Sequence, residues 1–482
     1  MADETDVLVI GGGPGGSTAA AMLAKAGLRV LLLERETFPR YHIGESLLAS
    51  CQSTLKLSGA YDAVAAYGFT LKRGGIVLWG DDTWVLDWNK LVDPNIWSWQ
   101  VDRADYDEIL LRNAVKQGAT VIEAAEVRTV NFVDGRAVSA DWTKTGDSTV
   151  NTVKFRYVID ASGRNGVLGR KHFRSRRQHQ IFQNIAVWGY WTGAKLLPET
   201  PEGGINVVSS PDGWWWHIPL SGDRYSVGLV THRSKFASGR SDHASLEAFY
   251  LDRLNNTDVI RGLTADAGAK FIGEVRAEQD YSYVSDKFCG PGFLMVGDAA
   301  CFLDPLLSTG VHLAQYSAMN AAAAIISTVE GNVPEADAWE FFEAVYRRAY
   351  TRMLVLVSRM YECYQGKDDY FWNAQKLVHE KTHRPMPVQD FTDMIAGMTD
   401  LREASSVETR VMTETLMREA EAVQDAHAAG HAANDISALD MDPLFEGWFR
   451  AAGPEAAVDQ YYLATEPKLE LRRRVATPAA VA

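Results

Sequence analysis

Near its start the chain reads Asp6-Val-Leu-Val-Ile-Gly-Gly-Gly-Pro-Gly-Gly16. The apolar run before the glycines is typical of a buried parallel strand. After them, Ser17–Ala26 has the small, helix-favouring residues of a helix packed tightly on that strand, and Arg29–Leu33 is a second apolar run that ends before Glu34. Strand, helix and strand together predict a βαβ unit, with the glycines at its first turn.

The glycine spacing, Gly11-x-Gly13-x-x-Gly16, is the one that a dinucleotide site requires. Gly11 makes the tight turn, Gly13 lets the backbone approach a pyrophosphate, and Gly16 packs the helix on the strand. The N-terminus of the helix attracts the phosphates, and Glu34 can accept a hydrogen bond from a ribose hydroxyl. The alternative is a glycine turn without a ligand.

Later segments predict how this unit continues along the chain. Tyr157–Ile159 and Phe293–Val296 are short apolar runs typical of further strands, and the alternation from Ile181 to Gly228 indicates an antiparallel sheet. Val311–Val329 is a long alanine-rich helix, and helical periodicity dominates after about Pro334.

We therefore expect an α/β protein with a Rossmann-type unit built from about residues 1–180 and 275–330. An antiparallel sheet, about 181–274, is inserted between these stretches, and a helical region occupies 331–482. The end of the chain, from Arg472 onward, is expected to be loosely ordered.

Bulk composition excludes several classes of protein. The 482 residues carry a formal net charge of -14, which argues against nucleic acid or an anionic membrane as partner. No apolar stretch approaches the roughly 20 residues that a membrane span needs, the start lacks the positive charge of a secretion signal, and the 4 cysteines are scattered. We expect a reduced, cytoplasmic protein. His42, His217 and His312 have no second ligand at metal spacing, so no metal site is predicted.

Two further strand ends indicate that the nucleotide is FAD. Gly297-Asp298 lies between a strand and a helix, where a carboxylate can reach the ribityl hydroxyls of a flavin, and Asp160–Gly163 ends a second strand nearby. Over residues 1–330 the chain resembles FAD-dependent aromatic hydroxylases. That resemblance adds the following residues to the predicted FAD site: Pro14, Gly15, Arg35, Ile43, Ser46, Arg103, Gly310 and Val311. For Arg103 the alternative is a surface arginine at a helix cap.

Two motifs favour halogenation over hydroxylation. Lys72 lies in Gly68-Phe-Thr-Leu-Lys-Arg-Gly-Gly75, and Trp214-x-Trp216-x-Ile218-Pro219 follows later. Together they resemble flavin-dependent halogenases. The resemblance implies that FADH2 from a separate flavin reductase, O2 and chloride or bromide form hypohalous acid. The acid passes to Lys72 through a water-poor channel, and Trp214, Trp216, Ile218 and Pro219 keep the organic substrate off the flavin.

Each of these residues also has a simpler interpretation. Lys72 beside Arg73 could be one more surface lysine, and the tryptophans could pack the core as alternate residues of one strand face. Ser308, Thr309 and Gly310 start the alanine-rich helix, where backbone N–H groups suit a halide or the flavin edge. Ser308 or Thr309 could equally cap that helix.

The type of substrate is predicted from a difference between this chain and tryptophan halogenases. Tryptophan halogenases place a glutamate before Ser-Thr-Gly, whereas this chain has Leu307, and Phe38–Leu47 and Asp369–Trp372 resemble the branch that acts on phenolic or pyrrolic rings. That branch often takes its substrate tethered to an acyl or peptidyl carrier protein. In the family a C-terminal addition covers the substrate pocket. A set of its aromatic residues could line the mouth or pack as ordinary helices: Tyr361, Tyr364, Tyr370, Phe371 and Trp372.

Three functions follow from these patterns. The first is an FADH2-dependent halogenase acting on a phenol-like or pyrrole ring in natural-product biosynthesis. The second is an FAD-dependent aromatic monooxygenase of the same fold. The third is a flavoprotein that binds a carrier or partner without turnover.

Overall fold

The computed structural model describes residues 4–80, 82–91, 93–362, 396–405 and 460–474. In chain order the strands are β1 Glu4–Ile10, β2 Val30–Leu33, β3 Thr70–Lys72, β4 Gly74–Trp79, β5 Asp82–Asp87, β6 Ser98–Gln100, β7 Thr120–Ile122, β8 Ala125–Val133, β9 Arg136–Lys144, β10 Asn151–Asp160, β11 Arg176–Thr192, β12 Ile205–Ser210, β13 Gly213–Leu220, β14 Arg224–His232, β15 Lys270–Ser285, β16 Cys289–Gly290, β17 Phe293–Met295, β18 Cys301–Phe302, β19 Tyr461–Ala464 and β20 Glu470–Arg473. The α-helices are α1 Pro14–Lys25, α2 Cys51–Ser58, α3 Tyr61–Tyr67, α4 Trp88–Leu91, α5 Arg103–Lys116, α6 Arg233–Ser241, α7 Leu246–Asn255, α8 Asp258–Leu263, α9 Gly310–Val329, α10 Glu335–Glu362 and α11 Met398–Ser405.

The first sheet is the predicted nucleotide-binding unit. Its strands follow the order β16-β17-β10-β1-β2-β7, and β8 and β9 extend it beside β10. The strands from β17 to β7 pair in parallel, and Val7–Ile10 of β1 is buried, as expected for a strand covered on both faces. The small residues of α1, Ala19–Ala21, are fully buried and let this helix approach α9 closely.

The second sheet is antiparallel, as expected, apart from one pair. Its order is β18-β15-β11-β14-β13-β12-β4-β5. It is wider than the predicted insertion at about 181–274, because β4 and β5 precede that stretch and β4 pairs in parallel with β12. The two sheets and their connections confirm the predicted α/β fold class.

The C-terminal part is described only in pieces. The helix α10 packs on α9, while residues 363–395 and 406–459, with the predicted aromatic residues Tyr364, Tyr370, Phe371 and Trp372, lie outside the described residues. The expectation of a loose end from Arg472 is wrong for Arg472 and Arg473, which belong to β20 and pair with β19. None of the helices described is both long and apolar enough to cross a bilayer.

Candidate active site

A cavity of about 510 Å³ opens where β1, β2, β10 and β17 end. The carboxyl ends of parallel strands are the usual place for a ligand in such sheets. The predicted site residues that line this cavity are Gly11, Gly13, Pro14, Gly15, Glu34, Arg35, Ile43, Ser46, Arg103, Asp298, Ser308, Thr309, Gly310, Val311, Trp214, Trp216 and Ile218. Gly16, Lys72 and Pro219 are not among its lining residues.

The turn between β1 and α1 leaves no room for side chains. Gly11 has φ +104°, and a Cβ there would lie 2.5 Å from the Ala161 carbonyl oxygen. A Cβ on Gly16 would lie 1.9 Å from the Gly11 carbonyl oxygen. Gly13 has ordinary extended backbone, and a Cβ there would meet only a side-chain atom of Arg40 at 3.4 Å. Gly11 and Gly16 therefore shape the turn, while Gly13 keeps the cavity open beside the N-terminus of α1.

Glu34 lies at the end of β2 with its carboxylate aimed back at the glycine turn. Its Oε2 accepts from the Gly12 N–H at 2.5 Å, and its Oε1 accepts from the Glu36 N–H at 2.8 Å. Each oxygen can accept a second hydrogen bond, so the ribose role predicted for Glu34 is compatible with these contacts. Neighbouring Arg35 is exposed and paired with Glu36.

Arg103 is buried, contrary to the surface interpretation. Its guanidinium donates to both carboxylate oxygens of Asp107, at 2.8 and 2.9 Å, and to the Ile43 carbonyl oxygen at 2.8 Å. Arg40 contacts the same Asp107 at 2.9 Å, so the two cations hold the pKa of this buried carboxyl below its usual value against the effect of burial. Arg103 thereby fixes the segment at Ile43 against α5, at the wall of the cavity.

Asp298 follows β17, as predicted, and lines the same cavity. Burial raises the pKa of Asp298, while the guanidinium groups of Arg164, Arg103 and Arg176 oppose the shift. Three cations around one partly buried carboxylate make this end of the cavity suited to a polar, hydrogen-bonding part of a ligand.

Lys72 is buried, with 2% of its surface exposed. Its Nζ donates to Ser46 Oγ at 2.8 Å and to the Leu47 carbonyl oxygen at 3.0 Å, and it lies 4.9 Å from the centre of the Trp88 ring. Burial lowers the pKa of Lys72 to about 7. Because Ser46 lines the cavity, the amine lies directly behind the cavity wall and not on the surface.

The tryptophan motif forms the wall of the cavity on the side of the second sheet. Trp214, Trp216 and Ile218 alternate along one face of β13 and line the cavity, whereas Trp215 faces the other way and packs on Tyr250. Opposite Trp216 on β14 is Gly228, where a Cβ would lie 2.2 Å from the indole ring. The glycine therefore allows the indole of Trp216 to lie against the neighbouring strand.

The wall is tied to the loop before α9. Trp214 Nε1 donates to the Tyr361 hydroxyl at 2.8 Å, which donates to Asp304 Oδ2 at 3.0 Å. Burial raises the pKa of Asp304 to about 6. Tyr361 is fully buried, so the interpretation of Tyr361 as part of an aromatic mouth is wrong and it packs in the core.

The predicted halide residues follow on the same loop. Ser308 has φ 58°, so this non-glycine residue adopts an uncommon left-handed conformation where the 3-10 turn Pro305–Leu307 ends. Thr309 is buried, and its Oγ1 has no hydrogen-bond partner among the described residues. Neither side chain caps α9, which leaves the Thr309 hydroxyl and the helix N-terminus as groups that fit an anion or a flavin edge.

The structure also brings together residues that no sequence motif connects. His312 Nδ1 lies 2.7 Å from Ser50 Oγ, and its Nε2 lies 2.7 Å from Asp400 Oδ2. Arg352 forms an ion pair with the same Asp400. Burial lowers the pKa of His312 to about 3, and Arg352 adds to the shift. Ser50 and Asp400 do not line the cavity, so this network fastens α11 to α9 and to the start of α2.

Glu45 is a second residue that the sequence analysis missed. It lies between Gly44 and Ser46 in the quoted segment Phe38–Leu47, lines the cavity, and is 2% exposed. The only signal in the sequence is its position beside Ser46, because the tyrosine that contacts it, Tyr190, lies 145 residues further along the chain.

Known proteins resemble this chain over most of its length. The tryptophan halogenase family profile matches residues 6–89 and 85–415. A tryptophan 2-halogenase of Chondromyces crocatus is 38% identical over 98% of this chain and 95% of its own. The flavin-dependent halogenase armH3 of Armillaria mellea is 35% identical over 77% of this chain and 79% of its own. Among solved structures, the myxobacterial chondrochloren halogenase CndH, described as an FAD-dependent halogenase, superimposes with a TM-score of 0.76 and 33% identity, covering 95% of this chain and 99% of its own.

Proposed function

Because this chain belongs to the flavin-dependent tryptophan halogenase family, we propose that it halogenates an electron-rich phenol-like or pyrrole ring of a natural-product intermediate, with Lys72 presenting the electrophile. The chain is an oxidoreductase that uses FAD, and its family takes FADH2 from a separate flavin reductase and acts on an aromatic substrate. Bound FADH2 supplies the electrons with which O2 and a halide give hypohalous acid.

The observation that carries the proposal is the placement of the Lys72 amine. It is buried behind Ser46, its pKa is lowered to about 7, and it is separate from the cavity that fits the flavin. A desolvated amine with this pKa is present in both neutral and charged forms near neutral pH. It can therefore bind an electrophilic halogen as the free amine or polarise hypohalous acid as ammonium.

The other site residues receive complementary roles in this proposal. Trp214, Trp216 and Ile218 exclude the organic substrate from the flavin, because their rings and side chain form one wall of the cavity. Thr309 and Gly310 help to place the halide, since the Thr309 hydroxyl is buried without a partner at the start of α9. The glycine turn, Glu34, Arg103 and Asp298 hold FAD.

The choice of ring rests on Leu307. This buried, apolar residue stands where tryptophan halogenases have a glutamate, and a phenolate or pyrrole needs less help from a carboxylate than an indole does. The competing substrate is tryptophan, favoured by the relative named tryptophan 2-halogenase, which is 38% identical to this chain. A carrier-tethered substrate remains part of the proposal on the likeness of the segment Phe38–Leu47.

The test is a substrate panel with FAD, a flavin reductase, O2 and either chloride or bromide, read by the isotope pattern of products in mass spectrometry. The panel holds free phenols and pyrroles, the same rings on a carrier protein, and tryptophan. Halogenated phenol or pyrrole is expected. Halogenated tryptophan alone would refute the proposed substrate, and oxygen-added product formed without halide would refute the reaction in favour of hydroxylation.

A matched pair of variants tests the role of Lys72. Lys72→Ala is expected to abolish halogenation while FAD binding, read by flavin fluorescence, is retained. Arg73→Ala removes the adjacent cation, which forms an ion pair with Glu202 at the surface, and is expected to remain active. Equal activity of the two variants would contradict the assignment of Lys72.

A further inference from the structure

Glu45 is a buried carboxyl group on the cavity wall with one oxygen in use. Its Oε1 accepts a hydrogen bond from the Tyr190 hydroxyl at 2.8 Å. Its Oε2 is buried and accepts no hydrogen bond of standard geometry from the described residues, although the Ser226 hydroxyl is close enough to lower the pKa of the carboxyl group. A carboxyl group with one oxygen bonded and the other free can accept a proton at one side and release a proton at the other.

A chain of hydroxyl groups leads from Glu45 towards the surface. The Tyr190 and Tyr41 hydroxyl oxygens lie 2.9 Å apart, and Trp188 Nε1 donates to the Tyr41 hydroxyl at 2.7 Å. Because Tyr190 gives its only proton to Glu45, Tyr41 must donate to Tyr190. All the hydrogen bonds of the chain therefore point the same way, from Tyr41 to Glu45.

The outer end of this chain is at the protein surface. Tyr41 is 41% exposed, and the exposed guanidinium of Arg276 lies 3.8 Å from the centre of its ring. The inner end, Glu45, is next to Ser46, which accepts from Lys72. Tyr41 also lines the cavity, so the chain runs along the cavity wall from its exposed rim to the carboxyl group beside the amine.

We propose that Tyr41, Tyr190 and Glu45 form a proton path that supplies the proton consumed in each halogenation; this inference rests on the proposed function. One FADH2, one O2, one halide ion, one aromatic C–H and one proton give FAD, one carbon–halogen bond and two waters. Oxygen gains four electrons, two from the flavin and two from the halide and ring together. Most of the hydrogen is already in the reactants, but one proton must enter from solvent.

Transfer along the chain is concerted, because burial raises the pKa of Tyr190 far above its usual value and a separate tyrosinate there would be costly. Glu45 lines the cavity through other atoms; it turns its buried Oε2 to the cavity, releases the proton there and takes the Tyr190 proton on Oε1. In the same event Tyr190 takes the Tyr41 proton, and Tyr41 takes one from solvent. Rotation of the hydroxyl groups restores the starting arrangement. Such a path delivers protons while the tryptophan wall keeps bulk water from the oxidant.

The surroundings of Glu45 keep its carboxyl group able to exchange a proton near neutral pH. Burial raises the pKa of Glu45 to about 7, while the Ser226 and Tyr190 hydroxyls oppose the shift. The charged groups nearby are Asp102, which raises the pKa further, and Arg224, which lowers it. Asp102 and Arg224 form an ion pair with each other, so their effects on Glu45 largely cancel.

Infrared spectroscopy of the FAD-loaded protein tests the path without turnover. Wild type is expected to show a protonated-carboxyl C=O band that disappears in Glu45→Gln and titrates near pH 7. Tyr190→Phe should shift this band, because it removes the hydrogen bond to Oε1. The control is Tyr225→Phe, on the adjacent strand β14, which should leave the band unchanged. A Glu45 band that titrates near 4.5, or that responds equally to both tyrosine variants, would overturn the inference.

Kinetic measurements provide a second test of the proton path. Tyr190→Phe and Glu45→Gln should lower kcat for halogenation on the order of 10²-fold, as expected for loss of a proton donor, and flatten its pH profile. Tyr190 does not line the cavity, so Tyr190→Phe should leave FAD affinity and halide KM unchanged. A loss of FAD affinity with an unaltered pH profile would show a structural role only and overturn the path. Failure of wild type to halogenate any substrate would refute the proposed function, while the infrared titration would still decide whether Glu45 exchanges protons through Tyr190.

Discussion

Replacement of Lys72 by methionine should change how the stability of the protein depends on pH. Lys72 has a lowered pKa of about 7 in the folded state, compared with 10.5 for an ordinary lysine. Between these two values the unfolded chain keeps a proton that the folded protein has released. A rise in pH through this window therefore stabilises wild type, and the window ends when the unfolded lysine also loses its proton.

The size of the effect follows from the shift. Each pH unit within the window changes the unfolding free energy by ~1.36 kcal/mol, and at pH 7 the folded lysine is still half protonated. The unfolding free energy of wild type should therefore rise by about 2 kcal/mol relative to that of Lys72→Met between pH 7 and 9. Among the described residues, Cys51 is the one titratable group that perturbs the pKa of Lys72, and it stays neutral over this range because burial raises its own pKa to about 12.

The assay is urea unfolding of both proteins at pH 7, 8 and 9, with the difference in unfolding free energy plotted against pH. Other titrating groups cancel in this difference. Lys116→Met, at an exposed position in the last turn of α5, serves as the control and should show no slope. Parallel curves for wild type and Lys72→Met would mean that the amine has the pKa of a lysine in water. The inference that Lys72 is partly neutral near pH 7 and can bind an electrophilic halogen would then be wrong.

Three further outcomes are expected at other positions. Gly16→Ala should prevent folding, because its Cβ would lie 1.9 Å from the Gly11 carbonyl oxygen, whereas Gly13→Ala should fold with an unchanged melting temperature and bind FAD more weakly by equilibrium titration. Trp216→Leu opens the cavity wall and should increase oxygen-added product relative to halogenated product in mass spectrometry; an unchanged ratio would contradict the wall. Thr309→Val removes the unpartnered hydroxyl and should raise the halide KM roughly tenfold, while an unchanged KM would place the halide elsewhere.

The fold and much of the candidate site could be predicted from local patterns. The βαβ unit, the helix after Ser308–Thr309 and the alternation of Trp214 and Trp216 are properties of short segments, and the structure reproduces them. Asp102 is the N-cap residue of α5, but its carboxylate pairs with Arg224 and does not cap the helix. The pair of Arg103 and Asp107 had a readable signal in its helical spacing.

What could not be predicted depends on contacts between distant segments. The parallel pairing of β4 with β12 has no sequence signature, because register between remote strands is set by the assembled core. Glu45 and Tyr190 are 145 residues apart, and Ser50 and His312 are 262 apart. Burial by those distant segments also creates the altered pKa values of Glu45 and Lys72.

The network of Ser50, His312 and Asp400 has a consequence for protein engineering. A chimera that takes its C-terminal part from a relative would keep Ser50 and His312 but import whatever residue that relative has in place of Asp400. A mismatch would leave a buried histidine facing the wrong partner and would displace the start of α9 at Thr309 and the chain at Ser50, which follows the Ser46–Leu47 segment that Lys72 contacts. Specificity swaps should therefore transfer these three positions as a set, and a crossover point between His312 and Asp400 should be avoided unless both sides already match.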